Sequence, residues 1–179
     1  MRIQTSRFGA IEITEEDQIR FPEGLLGFNA LRNFVLLDDP HDEIFAWLQS
    51  CEEPAIAFPV LEPELFTQNY RPNLTKYDLD SLGLSSMQGA RAFMIITIPE
   101  DPTKMTANLK APIIINVTGR MARQVVLQDN QLAIREPIFT LLQQRVVQNP
   151  SVPLKTSSQD VTVKVPSKKK TTTEPEVGA

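Results

Sequence analysis

The sequence predicts a mainly β protein: a small antiparallel β-barrel-like or sandwich domain with a few short helices. Apolar residues recur at every second position from the N-terminus to about residue 136, and this spacing is typical of half-buried strands. Gly, Pro, Asn and Asp residues interrupt these runs at short intervals, as in chains that turn back on themselves. Few segments have helical spacing, so few helices are available to cover sheet faces, which favours a closed barrel or two packed sheets.

The first predicted strands form a hairpin. Residues 2–8 alternate polar and apolar side chains, Gly9 and Ala10 interrupt the pattern, and Ile11–Ile13 resumes it. A further short strand follows over Gln18–Phe21. It must end at the next residue, a proline, because proline has no amide hydrogen for the ladder.

A second hairpin is predicted in the next part of the chain. Phe34–Leu37 is a four-residue apolar strand, and Phe45–Ser50 is its predicted partner. Asp and Pro residues in the segment between them supply local hydrogen bonds and a fixed φ, as turns require. Ile56–Val60 is a further strand, which Pro59 places at an edge or a bulge.

Two short helical segments precede the strongest strand. Pro63–Tyr70 is predicted to form one helical turn, and Tyr77–Leu82 has the apolar spacing of a short helix that ends at Gly83. Ala92–Ile98 is almost continuously apolar. We therefore expect it to be buried on both faces and to lie centrally in the sheet.

The remaining predicted elements are three strands and one helix. The strands cover Met105–Leu109, Ile113–Val117 and Met121–Leu127, and the short turns between them imply mainly antiparallel pairing. The segment Pro137–Gln148 changes to helical spacing, with Pro137 suited to the first turn. We expect this helix to pack on the sheet.

The composition predicts one domain and a tail. Residues 1–149 have enough apolar residues for a single β-rich core. Residues 150–179 are rich in Pro, Ser, Thr and Lys and almost free of aromatic residues. Such a segment buries too little apolar surface to offset the entropy of ordering, so this lysine-bearing tail is predicted to be disordered.

Charge is distributed unevenly along the chain. The tail carries five lysines against three carboxylates, so a net charge of −4 for the whole chain leaves the body at −6. An acidic body repels phosphate backbones, which argues against direct binding to nucleic acid. It suits a basic protein partner, whose approach it accelerates by long-range attraction.

The same composition argues against a membrane or secreted protein. No apolar run reaches the roughly 18 residues that span a bilayer. The N-terminal residues lack the long apolar region of a secretory signal. Cys51 is the sole cysteine, so no internal disulfide is possible. These features predict a cytoplasmic protein.

No segment has the pattern of a catalytic, cofactor or metal site. His41, the one histidine, lies in an acidic turn, where a solvated loop residue is the favoured interpretation over a general base. Cys51 is followed by two glutamates, which raise a thiol pKa. The carboxylates around His41 have no recognised metal-ligand spacing. We therefore predict no enzyme activity, no cofactor and no small-molecule substrate.

Four segments together resemble one protein family. They are Phe21–Phe28, Phe45–Ser50, Pro54–Phe58 and Thr106–Asn116. In this order they resemble the flagellar assembly factor FliW family, over most of residues 1–148. The resemblance implies a small, barrel-like, non-enzymatic protein that binds other proteins.

The resemblance also implies the partners. FliW proteins bind flagellin and antagonise CsrA, a translational repressor that binds messenger RNA. While flagellin is unsecreted, flagellin keeps the factor bound. Once flagellin is exported, the freed factor binds CsrA and relieves repression of flagellin synthesis. The alternative is a secretion chaperone that is specific for flagellin and has no role in translation.

One acidic face is the predicted partner-binding surface. It combines the carboxylates of the turn after the strand Phe34–Leu37 with two glutamates after the strand Phe45–Ser50, on the expectation that they adjoin across the hairpin. Its residues are Asp38, Asp39, Asp42, Glu43, Glu52 and Glu53.

Overall fold

The computed structural model describes residues 1–151, 155 and 161–166. This part of the chain forms twelve strands, which are β1 (Arg2–Thr5), β2 (Gly9–Glu12), β3 (Ile19–Arg20), β4 (Asn33–Asp38), β5 (Ala46–Ser50), β6 (Ala57–Leu61), β7 (Ala90–Thr97), β8 (Thr106–Ala107), β9 (Ile113–Asn116), β10 (Met121–Gln124), β11 (Glu136–Pro137) and β12 (Thr162–Lys164). The helices of the same part are α1 (Lys76–Ser81), α2 (Phe139–Gln148) and three 3₁₀ turns at Glu15–Asp17, Pro63–Leu65 and Pro102–Lys104.

Seven of the strands close into a barrel. Their order around the ring is β7, β6, β5, β4, β3, β10 and β9, and β9 pairs back onto β7. An odd number of strands cannot close with antiparallel pairs alone, and the parallel pair here is β3 with β10, where Arg20 lies opposite Met121. The prediction of a mainly β, barrel-like domain is confirmed.

Every strand of the ring contributes to the barrel interior. The interior cluster contains one buried side chain or more from each of the seven strands, including Ile19, Phe34, Leu48, Val60, Phe93, Ile113 and Ala122. The rings of Phe21 and Phe34 meet edge to face within it, with centroids 5.0 Å apart. The barrel is therefore a packed core rather than a pore.

The outer surface of the barrel wall is also covered on two sides. The β1–β2 hairpin and α2 bury a second apolar cluster, to which β4 contributes Val35 and Leu37 and α2 contributes Leu142. The region of α1 covers a third cluster, where Leu82 packs with Ile114 of β9. Because α2 packs against the strands in this way, the expected position of this helix is confirmed.

Most predicted elements form where the pattern placed them. The β1–β2 and β4–β5 hairpins are present. The strand β7 is central, because it pairs with β6, β8 and β9. The helix α1 begins with a capping box in which the side chains of Thr75 and Asp78 bond each other's backbone amides.

Two prolines define local features of the sheet. Pro59 lies opposite Trp47 of β5, but β7 pairs with β6 at Val60 and Leu61. Pro59 thus sits in the part of β6 that β7 does not reach, as the predicted edge position requires. Pro137 was expected in the first helical turn, and this is wrong: it lies in β11, opposite Thr106.

The structure differs from the predicted disordered tail at residues 161–166. Residues 162–164 form β12, which runs parallel to β4. The flanking Val161 and Val165 are buried. Valines at alternate positions supply a strand-like apolar pattern inside a polar segment, and their burial offsets the ordering entropy. The rest of the predicted tail lies mostly outside the described residues, and the division into one domain and a tail stays a prediction.

Candidate partner-binding surface

The loop between β4 and β5 contains the acidic turn, which we define as residues 38–43. Two of its aspartates hold the turn by accepting backbone hydrogen bonds. Oδ1 of Asp39 accepts from the amide of His41 at 2.9 Å. Oδ1 of Asp42 accepts from the amides of Ile44 and Phe45, both at 2.9 Å. These carboxylates fix the backbone at the start of β5, as Asp does in turns.

A lysine of the predicted tail lies on the acidic turn. Nζ of Lys155 forms an ion pair with Asp38, and both side chains are largely buried, with 16 % and 18 % exposure. The same ammonium group donates to the carbonyl oxygen of Asp39 at 2.7 Å and to that of Asp42. Asp38 is therefore already paired within the chain.

Trp47 is a core residue that anchors the acidic turn to the barrel wall. The residue is 7 % exposed, and its indole ring packs edge to face with Phe8 and Phe45, with centroids 6.5 Å apart in both pairs. The guanidinium of Arg7 lies 3.7 Å from the ring centroid, a cation–π contact. Nε1 of Trp47 donates to Oδ2 of Asp42 at 2.9 Å. This burial places the side chain in the core.

The two predicted parts of the acidic face do not adjoin. In the β4–β5 register, Leu37 lies opposite Trp47, and Phe34 lies opposite Ser50. Because the pairing is antiparallel, the acidic turn lies at one end of the hairpin and Glu52–Glu53 at the other. The expectation of one continuous face is therefore wrong, because residues that follow the second strand of a hairpin lie at the end opposite its turn.

Glu52 has a structural contact at its own end of the hairpin. Its Oε1 accepts hydrogen bonds from the amides of Arg32 and Asn33 at 3.1 and 2.9 Å, and from Nδ2 of Asn33 at 3.0 Å. Glu53 and Glu43 are exposed residues. Among the six predicted residues, the carboxylates of Asp38, Asp39, Asp42 and Glu52 have contacts within the chain, so Glu43 and Glu53 are the exposed residues left to meet a partner.

An open cleft adjoins the acidic turn. Its volume is about 520 Å³, and it lies between the turn and the C-terminal end of α2. Val146 and Asn149 line the helix side, and Lys155 and Lys164 line the tail side. Carboxylates, ammonium groups and an exposed valine therefore meet in one place, a combination that suits a protein segment with both charged and apolar groups.

The sequence did not predict an apolar surface at the loop before β4. Leu26 and Phe28 are 58 % and 36 % exposed, and Phe28 packs edge to face on Phe58 at 5.3 Å. Gly24 and Gly27 have positive φ and give this loop its shape. The sequence does carry a signal for this surface, since Leu26 lies between the two glycines and Phe28 directly follows them.

The environment of Cys51 suppresses thiolate chemistry. Burial, and secondarily the charge of Glu52, raise the pKa of the Cys51 thiol to about 11. The predicted direction of this pKa shift is confirmed, with burial as the larger cause. The thiol is therefore protonated at neutral pH and is a poor nucleophile or metal ligand.

The described residues, 1–151 with 155 and 161–166, contain no clustered metal ligands and no helix that could cross a bilayer. Within them no group of three or more His, Cys, Asp or Glu residues is placed to hold a metal ion. No helix in the same residues combines the length and the apolar character needed to cross a bilayer.

The sequence and the fold both match known proteins. The model of the family described as FliW protein matches residues 2–138. A flagellar assembly factor FliW from Bdellovibrio bacteriovorus is 66 % identical over 163 residues, which are 91 % of this chain and 93 % of that protein. One from Leptospira interrogans is 37 % identical over 140 residues, 78 % and 93 % of the two chains.

A solved structure agrees with the sequence relatives. The crystal structure of a flagellar assembly factor FliW superimposes with a TM-score of 0.73 at 34 % identity, and the match covers 78 % of this chain and 97 % of the other. The matched family model spans all seven barrel strands. The chain therefore belongs to the FliW family, whose members are flagellar assembly factors and not enzymes.

Proposed function

We propose that this protein regulates flagellar assembly by binding flagellin and, when it is free of flagellin, by binding and antagonising the translational repressor CsrA. The observation that carries the proposal is the family match over residues 2–138, which includes the whole barrel. A protein that two partners share redistributes between them by mass action. The concentration of the factor that is free of flagellin therefore falls as unsecreted flagellin accumulates. Flagellin is synthesised, and a translational repressor acts, where messenger RNA is translated, so the proposed site of action is the cytoplasm.

The acidic turn is the proposed contact for a basic partner. A repressor that grips RNA needs clustered positive charge, and the body of this chain has a net charge of −6, because its tail of five lysines and three carboxylates takes +2 from the total of −4. Within the turn, Asp42 is engaged by Trp47 and Asp38 by Lys155. Glu43 is exposed and adjoins the cleft, so it is the residue best placed to meet an approaching cation.

A competition pulldown tests the proposal. The immobilised protein is incubated with purified flagellin, with purified CsrA, and with a constant amount of CsrA under increasing flagellin. We expect each partner to be retained alone, and we expect flagellin to displace CsrA. Retention of neither partner contradicts the proposal.

The same experiment distinguishes the alternative function. A secretion chaperone that is specific for flagellin retains flagellin and does not retain CsrA at any concentration. The Glu43→Gln variant tests the proposed contact, because it removes one exposed charge without touching the hydrogen bonds of the turn. Under the proposal this variant still retains flagellin and loses part of its CsrA binding.

A further inference from the structure

A short strand leaves one edge of the barrel wall to be filled by another part of the chain. The strand β3 has two residues and pairs with Asn33 and Phe34, the first two residues of β4. Further along β4, Leu36 to Asp38 pair with β12. We call this edge, residues 36–38 of β4, the seam. The backbone groups of the seam are matched by a segment that follows the helix α2 in the sequence.

The tail strand has an apolar contact at each end. Val161 is fully buried and belongs to the barrel interior cluster, and its carbonyl oxygen accepts from Nη1 of Arg120 at 3.2 Å. Val165 is 9 % exposed and belongs to the outer cluster under the β1–β2 hairpin. The amide of Val165 donates to the carbonyl oxygen of Asp38 at 2.9 Å. The seam therefore accepts an extended backbone with two apolar anchors four residues apart.

A charge contact accompanies the strand. Lys155 pairs with Asp38, which is the last residue of the seam and the first of the acidic turn. The seam and the acidic turn thus form one continuous surface. This surface contacts the extended valine-bearing strand of the tail and the ammonium group of Lys155. Main-chain hydrogen bonds supply affinity in such strand addition, and the side-chain pockets and the charge supply specificity.

The matched family model covers the seam but does not cover β12, the strand that pairs with it. The seam lies within the matched family model, which ends at residue 138, whereas β12 lies beyond it. The 140 matched residues of the Leptospira protein are 93 % of its length, so the remainder is too short for the whole of 150–179. The Bdellovibrio match covers 91 % of this chain, so it reaches residue 163 or beyond. The seam residues are therefore matched by the family model, and the residues of β12 are not.

We propose that the seam is a strand-acceptor site for an extended, valine-bearing, basic segment of a partner protein, and that β12 with Val161, Val165 and Lys155 is an internal competitor for that site. The tail then sets the affinity of the surface. Being tethered, it is present at an effective concentration of about 1 mM, as expected for short linkers. A free segment of equal intrinsic affinity binds weakly until the tail detaches.

Hydrogen exchange on the full-length, unsubstituted protein gives the first test. If the tail is a competitor, it detaches while the barrel stays folded, and its amides exchange through this local opening. We expect the Val165 amide to exchange at least about 100-fold faster than the paired amides of β5, as followed by NMR. Equal protection for Val165 and β5 makes β12 a permanent strand of the barrel and overturns the proposal.

A peptide with the sequence of residues 155–166 and a fluorescein label gives the second test. Its binding to the full-length protein is followed by fluorescence anisotropy, with far-UV circular dichroism as a check of folding. A tail-release variant carries Val161→Asp and Val165→Asp. We expect this variant to bind the peptide at least tenfold more tightly than the unsubstituted protein. Equal binding, or no binding by a folded release variant, overturns the proposal.

Matched controls isolate the seam. The double variant Val126→Asp, Ile134→Asp adds the same charge at exposed positions outside the seam, and we expect it to bind the peptide as weakly as the unsubstituted protein. A peptide that carries the two valine substitutions should not bind the release variant. Neither test uses flagellin or CsrA, so a failure here leaves the proposed function intact, and a failed pulldown leaves the seam intact.

Discussion

The indole nitrogen of Trp47 donates a 2.9 Å hydrogen bond to Oδ2 of Asp42, so one carboxylate joins the acidic turn to the barrel wall. The other oxygen of Asp42 accepts from two backbone amides. An aspartate that a charge argument assigns to partner binding thus has a structural role. Its substitution changes the fold locally before it changes any interface.

We therefore expect Asp42→Ala to destabilise the protein by about 2 to 3 kcal/mol, because three donors lose a charged acceptor. Urea unfolding followed by the fluorescence of Trp47, the single tryptophan of the chain, measures this. Glu43→Ala, at the exposed neighbouring position, is the control and should stay within about 0.5 kcal/mol. Equal effects of the two substitutions contradict the assigned role of Asp42.

Gly24 and Gly27 should differ sharply in their tolerance of a methyl group. Both have positive φ, +66° and +81°. A Cβ at Gly24 lies 2.6 Å from the Cα of Asn29, whereas a Cβ at Gly27 meets no atom within 4 Å. We expect Gly24→Ala to reduce the free energy of unfolding by about 3 kcal/mol or more and Gly27→Ala by about 1 to 2 kcal/mol. Thermal or urea unfolding of both variants tests the difference.

Alkylation of Cys51 should follow the raised pKa. With a thiol pKa of about 11 in place of 9.0, iodoacetamide should react slowly at pH 8, and the rate should rise with an apparent midpoint near 11. Mass spectrometry measures the rate. The urea-unfolded protein is the control, with a midpoint near 9. A folded-state midpoint at or below 9 contradicts the buried environment.

The same shift makes stability depend on alkaline pH. The folded protein holds the Cys51 proton more tightly than the unfolded chain does. The protonated thiol therefore makes its full contribution to the free energy of unfolding below about pH 9. This contribution is lost as the pH rises from 9 toward 11. We expect Cys51→Ser to flatten the decline in the free energy of unfolding over this window, as measured by urea titrations at successive pH values.

Charge reversal should affect CsrA binding differently at the two ends of the β4–β5 hairpin. We expect Glu43→Lys to slow association with CsrA at low salt by about threefold and to flatten its salt dependence, because the proposed contact is at the acidic turn. Glu53→Lys makes the same charge change at the opposite end and is the control. Stopped-flow rates at several salt concentrations measure both. A larger effect at Glu53 moves the contact to that end.

Local signals predicted much of the fold. Turn formers between alternating strands located the β1–β2 and β4–β5 hairpins. Within the segment Thr106–Asn116, Oδ1 of Asn108 accepts from the amides of Lys110 and Ala111 at 3.1 Å and holds a turn. Such features depend on residues a few positions apart, which a sequence displays directly.

Non-local pairings were not predictable in the same way. The closure of β7 on β9 and the parallel pairing of β3 with β10 join segments whose relation depends on the whole ring. The separation of Glu52 and Glu53 from the acidic turn, by contrast, follows from the predicted hairpin itself, because residues after the second strand lie at the end opposite the turn. The strand β12 had a visible signal, valines at 161, 163 and 165, but the polar composition around them outweighed it.

Pro59 has a consequence for the behaviour of the protein at high concentration. The part of β6 that β7 does not reach is where a second molecule could add a strand and begin a growing fibril. Pro59 presents no amide hydrogen there, so the ladder that such growth requires is interrupted at this residue. This edge of the barrel is thereby protected against self-templated aggregation.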